Sequence, residues 1–286
     1  MIAVLIPSLT NNVFSDVLRG IYDASEGGRY SIQLSNTRYS ILQEEKLLRL
    51  FLAQKPAGLI VTGIDQTAES RAMLDAADCP IVQIMEIGPN PVDMMIGFSH
   101  YDAARAAVAH LFAQGHRRIG FVGARMDPRV QRRLDGYLSA MKEASLFEAR
   151  LVVTTATPTS VTLGGMLFAD LLAREPDIDA VFCANDDLAL GVLFECRRRE
   201  IAVPEQIAIM GFNDLEFMAS AVPTLTSVRT NRYEMGRTAA TMLIDAIEGK
   251  RPQQPVLDLG FKVIERQSSL ARRPDSRPAI SGMVAG

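Results

Sequence analysis

Short, unbroken apolar runs alternate with stretches of helical periodicity along nearly the whole chain, and no other feature constrains the fold as much. Ile2-Ala3-Val4-Leu5-Ile6 is a continuous run stopped by Pro7, the mark of a strand buried on both faces of a parallel sheet. Val13, Phe14, Val17, Leu18 and Ile21 then recur at helical spacing, and Gly27-Gly28 can end that helix. The pattern goes on to predict strands over residues 31–34, 58–62 and 81–85 separated by helices over 42–54 and 67–77. This is βαβ repetition, the signature of a doubly wound parallel sheet.

The series then starts afresh. Helices are predicted over residues 103–114, 128–143, 161–174, 188–199 and 233–248, with strands over 118–122, 151–155, 180–183 and 207–211 and two short strands within 255–264. At 286 residues the chain is long enough for two cores. Two doubly wound α/β units account for everything before residue 268, and the stretch 268–286, with two prolines and little hydrophobicity, reads as a disordered tail.

Composition closes off several classes of function. Hydrophobic residues make up 48% of the chain against 22% charged, which excludes disorder, and the net charge of −3 does not suit a chain lying along nucleic acid by itself. The apolar run at the N-terminus lacks a basic flank and is too short for a signal peptide, and no later run approaches the ~20 apolar residues of a membrane span. Cys79, Cys183 and Cys196 are odd in number and widely spaced, which points to reduced core thiols in a cytoplasmic protein.

In doubly wound sheets, ligands lie beyond the carboxyl ends of the strands. The residues standing there are Ser8, Thr10, Asn11, Asn12 and Phe14, then Arg125 to Arg133, Asn185-Asp186-Asp187, and Asn213-Asp214. Amides and carboxylates pair with hydroxyls, a guanidinium grips a carboxylate or phosphate in a two-point fork, and a phenyl ring covers a carbon chain. The set suits a small polyhydroxylated ligand. Structural roles stay open beside that one: Asn12 or Asp186 can cap the helix that follows, Asn213-Asp214 can form a turn, and Arg132-Arg133 can lie on a solvated helix face.

Catalytic motifs are missing. The sequence has no Gly-x-Ser-x-Gly elbow, no phosphate-binding Gly-rich loop and no His-Glu-x-x-His. His110 and His116 fall around the end of a helix, where packing is their expected role, and Asp186-Asp187 lacks a third metal ligand. Arg197-Arg198-Arg199 complements a helix C-terminus. An enzyme using Asp102, Asp186, Asp187 or His100 is the weaker alternative. No cofactor or metal is expected.

Several segments together resemble the effector-binding core of LacI/GalR transcriptional regulators. They are IAVLIPSLTNNVFSDVLRGI (2–21), HLFAQGHRRIGFVG (110–123), RRLDGYLSAM (132–141), FCANDDLALGVLFECRRREIAVPEQIAIMGFND (182–214) and PTLTSVRTNRYEMGRTAATML (223–243). Within that family, SLTNNVF, GFSHYDAAR, FCANDDLA and LDLGF look most like the gluconate-utilisation repressors. The resemblance implies a periplasmic-binding-protein-like fold of two subdomains joined by three crossovers, with an effector cleft between them. It places residues 1–115 and 228–254 in the first subdomain and 116–227 and 255–267 in the second.

The family's ligand-binding pattern falls on Asn11, Phe14, Asp102, Arg133, Asn185 and Asn213. Many members carry Asp where this chain has Asn213, and Asp-Asn where it has Ser99-His100. An Asp in the cleft would repel a carboxylate at ~3 to 5 Å, whereas Asn does not, so a sugar acid becomes the expected effector. The resemblance further implies a homodimer that meets operator DNA through an N-terminal headpiece, a part the expectation places outside these residues. A solute-binding protein for sugar uptake, with the same fold, is the rival function.

Overall fold

The computed structural model describes residues 1–270. The chain begins with β1 (Ile2–Ile6), α1 (Val13–Ser25), β2 (Ile32–Asn36), α2 (Ile41–Ala53), β3 (Gly58–Thr62), α3 (Ala68–Asp75), β4 (Ile81–Ile84) and β5 (Met94–Gly97). It continues through α4 (His100–Ala113), β6 (Ile119–Ala124), α5 (Pro128–Glu143), β7 (Val152–Thr155), α6 (Val161–Arg174), β8 (Ala180–Cys183) and α7 (Asp186–Arg198). Then come β9 (Ala208–Asn213), α8 (Phe217–Ser220), β10 (Thr226–Thr230), α9 (Arg232–Ile247), β11 (Val256–Asp258) and β12 (Phe261–Ile264).

These strands form two six-stranded sheets, ordered β11-β5-β4-β3-β1-β2 and β12-β10-β9-β8-β6-β7. All neighbours are parallel except β12, which runs antiparallel to β10. The central order is the same in both: β1 lies between β2 and β3, and β6 between β7 and β8. Each sheet therefore reverses its strand order beside its first strand, which is where such sheets open a ligand crevice.

Burial explains the apolar runs. Every residue of β1 is buried, with Ile2, Val4 and Ile6 facing the main core under α1 and α9, and Ala3 and Leu5 facing a smaller cluster with Leu48, Phe51 and Leu74 under α2 and α3. Two strands escape the sequence pattern. β5 is only four residues long, and β10 is largely polar, its Thr226, Ser227 and Thr230 buried. Thr226 N donates to Ser268 Oγ and Ser227 Oγ donates to Asp186, so hydrogen bonds stand in for hydrophobicity there.

The chain passes between the sheets three times, after β5, after β10 and between β11 and β12. Here the structure departs from the expected boundaries. Helix α4, placed with the first subdomain when the limit is set at Gly115, packs along α5 and against β8, β10 and β12 of the second sheet. Strand β11, assigned to the second subdomain, pairs with β5 of the first. Periodicity identifies a helix or strand but not the sheet it joins. Helix α9 does return to the first sheet, where Gly236 and Gly20 let α9 and α1 meet backbone to backbone.

Order also extends past the expected start of the tail. Ser268 and Ser269 are buried; Ser268 Oγ donates to Ile209 O, and His110 Nε2 bonds Ser269 Oγ. The remainder of the expected tail, residues 271–286, lies outside the described residues. Cys183 and Cys196 are buried and Cys79 is half-buried, all free thiols.

Candidate functional site

The crevices of the two sheets face each other across one cavity of about 40 Å³. Asn11, Phe14, Arg133, Asn185 and Asn213 all line it. Asp102 does not: it is exposed in the first turn of α4, where its backbone N–H donates to the Ser99 cap. The lining adds Tyr39, Met85, Arg125, Asp127, Arg129, Thr159 and Asp187. Tyr39, Met85 and Thr159 went unnoticed in the sequence, although Tyr39 follows β2 by the same strand-end logic that points to Asn11 after β1.

One wall comes from the first sheet. Asn11 Oδ1 accepts from Val13 N at 3.0 Å and its Nδ2 donates to the Tyr39 hydroxyl at 3.0 Å, bonds that shape the loop and hold the ring. Tyr39 sits in the left-handed region with φ of 57°. Its ring meets two guanidiniums of the opposite wall, Arg125 at 4.0 Å and Arg129 at 5.9 Å. Arg129 also lies 5.8 Å from the Phe14 ring. These cation–π contacts bridge the two walls of the cleft. Asn12 stands at the start of α1 but makes no side-chain cap.

The other wall is set by α5. Asp127 caps this helix through Arg129 N, Pro128 opens it, and Asp127 Oδ1 also receives Arg129 Nε at 3.3 Å. Burial alone would raise the Asp127 carboxyl, but Arg129 and Arg133 outweigh it and hold the group below its ordinary range. At Gly136 a Cβ would strike the Tyr101 carbonyl, so α5 can lie tight against the first turn of α4. One turn earlier that approach brings Arg133 against His100.

Arg132 and Arg133 therefore diverge. Arg132 reaches across to Asp65 after β3, with Nη1 at 2.9 Å from Oδ2, and lies 3.6 Å from Glu86. Arg133 turns inward and is 6% exposed. Its Nε donates to His100 Nδ1 at 3.1 Å, its Nη1 donates to Ala184 O, and its guanidinium carbon stacks 3.9 Å above the Phe212 ring. Among the described residues no carboxylate forms a salt bridge with Arg133, which lines the cavity, and its Nη2 has no hydrogen-bond partner. Burial pushes its pKa down to about 10, so it remains a cation at neutral pH.

Asn185 and Asp186 divide two roles. Asn185 Oδ1 accepts from Leu188 N at 3.1 Å, capping α7, while its Nδ2 donates to Thr159 Oγ1 at 3.2 Å. Asp186 does not cap. It is fully buried and accepts from Leu215 N and Ser227 Oγ, both at 2.7 Å, and burial lifts its pKa to about 6. That anchors the loop carrying Asn213, whose φ is 113° and whose Oδ1 is buried without a partner among the described residues. Among those residues no group of three His, Cys, Asp or Glu is placed to hold a metal, and no helix is long and apolar enough to cross a membrane.

Two doubly wound units facing a polar cleft across three crossovers define a periplasmic-binding-protein-like ligand domain, and residues 108–269 match the family model of that description, the periplasmic binding protein-like domain. The chain is 41% identical over 94% of its length to the HTH-type transcriptional regulator GntR of Pseudomonas aeruginosa, of which it covers 78%. It superposes with TM-score 0.90 on the crystal structure of transcription regulator GntR from Chromobacterium violaceum, 40% identical, covering 94% of this chain and 98% of that one. A LacI-family transcriptional regulator from Silicibacter pomeroyi gives the same TM-score at 32% identity, covering 94% of this chain and 81% of that one. The chain belongs to the LacI family of transcriptional regulators, and its two sheets are the effector-binding core. These relatives are transcriptional regulators.

Proposed function

We propose that the effector is a sugar acid of the gluconate type, with its carboxylate on Arg133. One observation carries this reading: Arg133 is a buried cation whose hydrogen-bond and stacking partners are all neutral, with Asp127 nearby but in no salt bridge to it. A carboxylate ~4 Å from it gains roughly 4 kcal/mol at an effective dielectric of ~20, before desolvation, and a neutral hydroxyl gains no such term. Asn213 Oδ1 and Asn185 offer hydrogen bonds to hydroxyls, and Phe14 an apolar surface for the carbon chain. Asp102, outside the lining, has no contact in this arrangement.

The cavity holds a few waters at most, so a six-carbon acid has to part the walls to enter. An effector touching Phe14 on one wall and Arg133 on the other stabilises one closure angle over another. A coupling of ~1 to 3 kcal/mol changes operator affinity by ~5- to 150-fold. The regulator acts in this reading as a cytoplasmic homodimer, with operator DNA contacted through a headpiece. Calorimetric titration with gluconate, related aldonates and neutral hexoses tests it. Preference for an aldonate supports the reading; tight glucose binding without aldonate binding overturns it.

A further inference from the structure

The effector preference proposed above has a second determinant outside the cavity lining. His100, the first residue of α4, is 0% exposed and lies between the two walls. Its Nε2 is 2.8 Å from Met85 O, at the end of β4 in the first sheet, and its Nδ1 is 3.1 Å from Arg133 Nε on α5. A guanidinium nitrogen can only donate, so Nδ1 accepts; the ring proton is then on Nε2 and goes to the Met85 carbonyl. The ring is held 4.3 Å from Phe98 and 5.8 Å from Phe212, the ring on which Arg133 itself stacks. Apolar surroundings exclude water from this contact, so the protein has to supply the acceptor for Arg133 Nε.

The charge of that acceptor decides what the cleft can bind. A carboxylate here would satisfy Nε equally well but would cancel the cation. Imidazole satisfies the donor, fixes the guanidinium plane and leaves the positive charge for the ligand. Burial and the neighbouring Arg133 hold His100 well below its ordinary pKa, so the ring stays neutral. We infer that His100 is a specificity-determining positioning residue: a neutral acceptor that orients Arg133 without compensating its charge and thereby selects anionic over neutral effectors. The inference rests on the sugar-acid reading.

Glutamine can imitate both hydrogen bonds of the ring; glutamate has the same reach and can accept from Arg133 Nε, but it brings the charge at issue and gives up the donation to Met85 O. Both variants and the unaltered chain are titrated calorimetrically with gluconate and with glucitol, the neutral polyol of equal chain length, after thermal melts establish folding. The unaltered chain and His100→Gln should prefer gluconate, and His100→Glu should lose at least ~10-fold of that preference. A gluconate preference unchanged by His100→Glu overturns this inference alone. Failure of the unaltered chain to prefer gluconate overturns the sugar-acid reading and the inference with it. Should His100→Glu not fold, imidazole 15N shifts of the unaltered chain decide: an unprotonated Nδ1 supports the inference, and a protonated Nδ1 overturns it.

Discussion

The two walls of the cleft are built at equivalent points of two similarly ordered sheets, yet they hold their polar groups differently. On the first wall, Asn11 bonds its own loop and Tyr39, and the nearby buried carboxyl, Glu86 beside Met85, has its pKa lifted to about 7 by burial. On the second, Arg133 keeps its charge and one free nitrogen, and Asn213 keeps an unpartnered oxygen. The first wall is an aromatic cover and the second is a recognition surface. Similar folds thus divide closure and recognition between them.

The sharpest way to break this division is to remove the second wall's cation. Arg133→Ala should weaken gluconate binding by about 3 kcal/mol, on the order of 100-fold in Kd; calorimetry with equal affinities for both proteins would show the charge plays no part. Next in size is the first wall's carboxyl. With the folded pKa of Glu86 raised from 4.5 to about 7, the folded protein binds more protons than the unfolded chain between those values. Stability from this group is therefore lost as pH rises through that window. Glu86→Gln should be more stable than the unaltered chain at pH 8 by roughly 2 kcal/mol and about equal at pH 4. Denaturant melts at the two pH values check this; a gain independent of pH contradicts it.

Asn213→Asp adds a further carboxylate to the second wall, which already carries Asp127 and Asp187. It should cost gluconate ~10-fold while leaving or improving neutral hexose binding, as competition titrations would show. The smallest effect belongs to the cover. Tyr39→Phe removes the acceptor for Asn11 Nδ2 but keeps the ring between Arg125 and Arg129. A change of under ~1 kcal/mol in gluconate binding is expected, without change in anion preference; a shift in that preference would move recognition onto the first wall.

How far this could be read from the sequence follows the same physics. Strands buried on both faces announce themselves, so β1, β3 and β8 stand within a residue of their expected places, as does α5 from Pro128 to Glu143. β10 is invisible because its hydrogen bonds to Ser268 and to Asp186 replace hydrophobic contacts. The side to which α4 and β11 belong depends on tertiary packing that periodicity does not encode. Asn11, Phe14, Asn185 and Asn213 follow from the strand-end rule; Arg133 falls under the same rule but stands out only through the family resemblance, because a helical arginine looks solvated until α5 is pressed onto α4 at Gly136. His100 depends on that same contact.

The central claim is that Arg133, kept cationic, receives the carboxylate of a sugar acid. A crystal structure of the gluconate complex tests it most directly. The account predicts a carboxylate oxygen at ~3 Å from Arg133 Nη2, with the carbon chain against Phe14 and a hydroxyl on Asn213 Oδ1. Gluconate bound with its carboxylate turned away from Arg133, or a cleft without gluconate at saturating concentration, would contradict it.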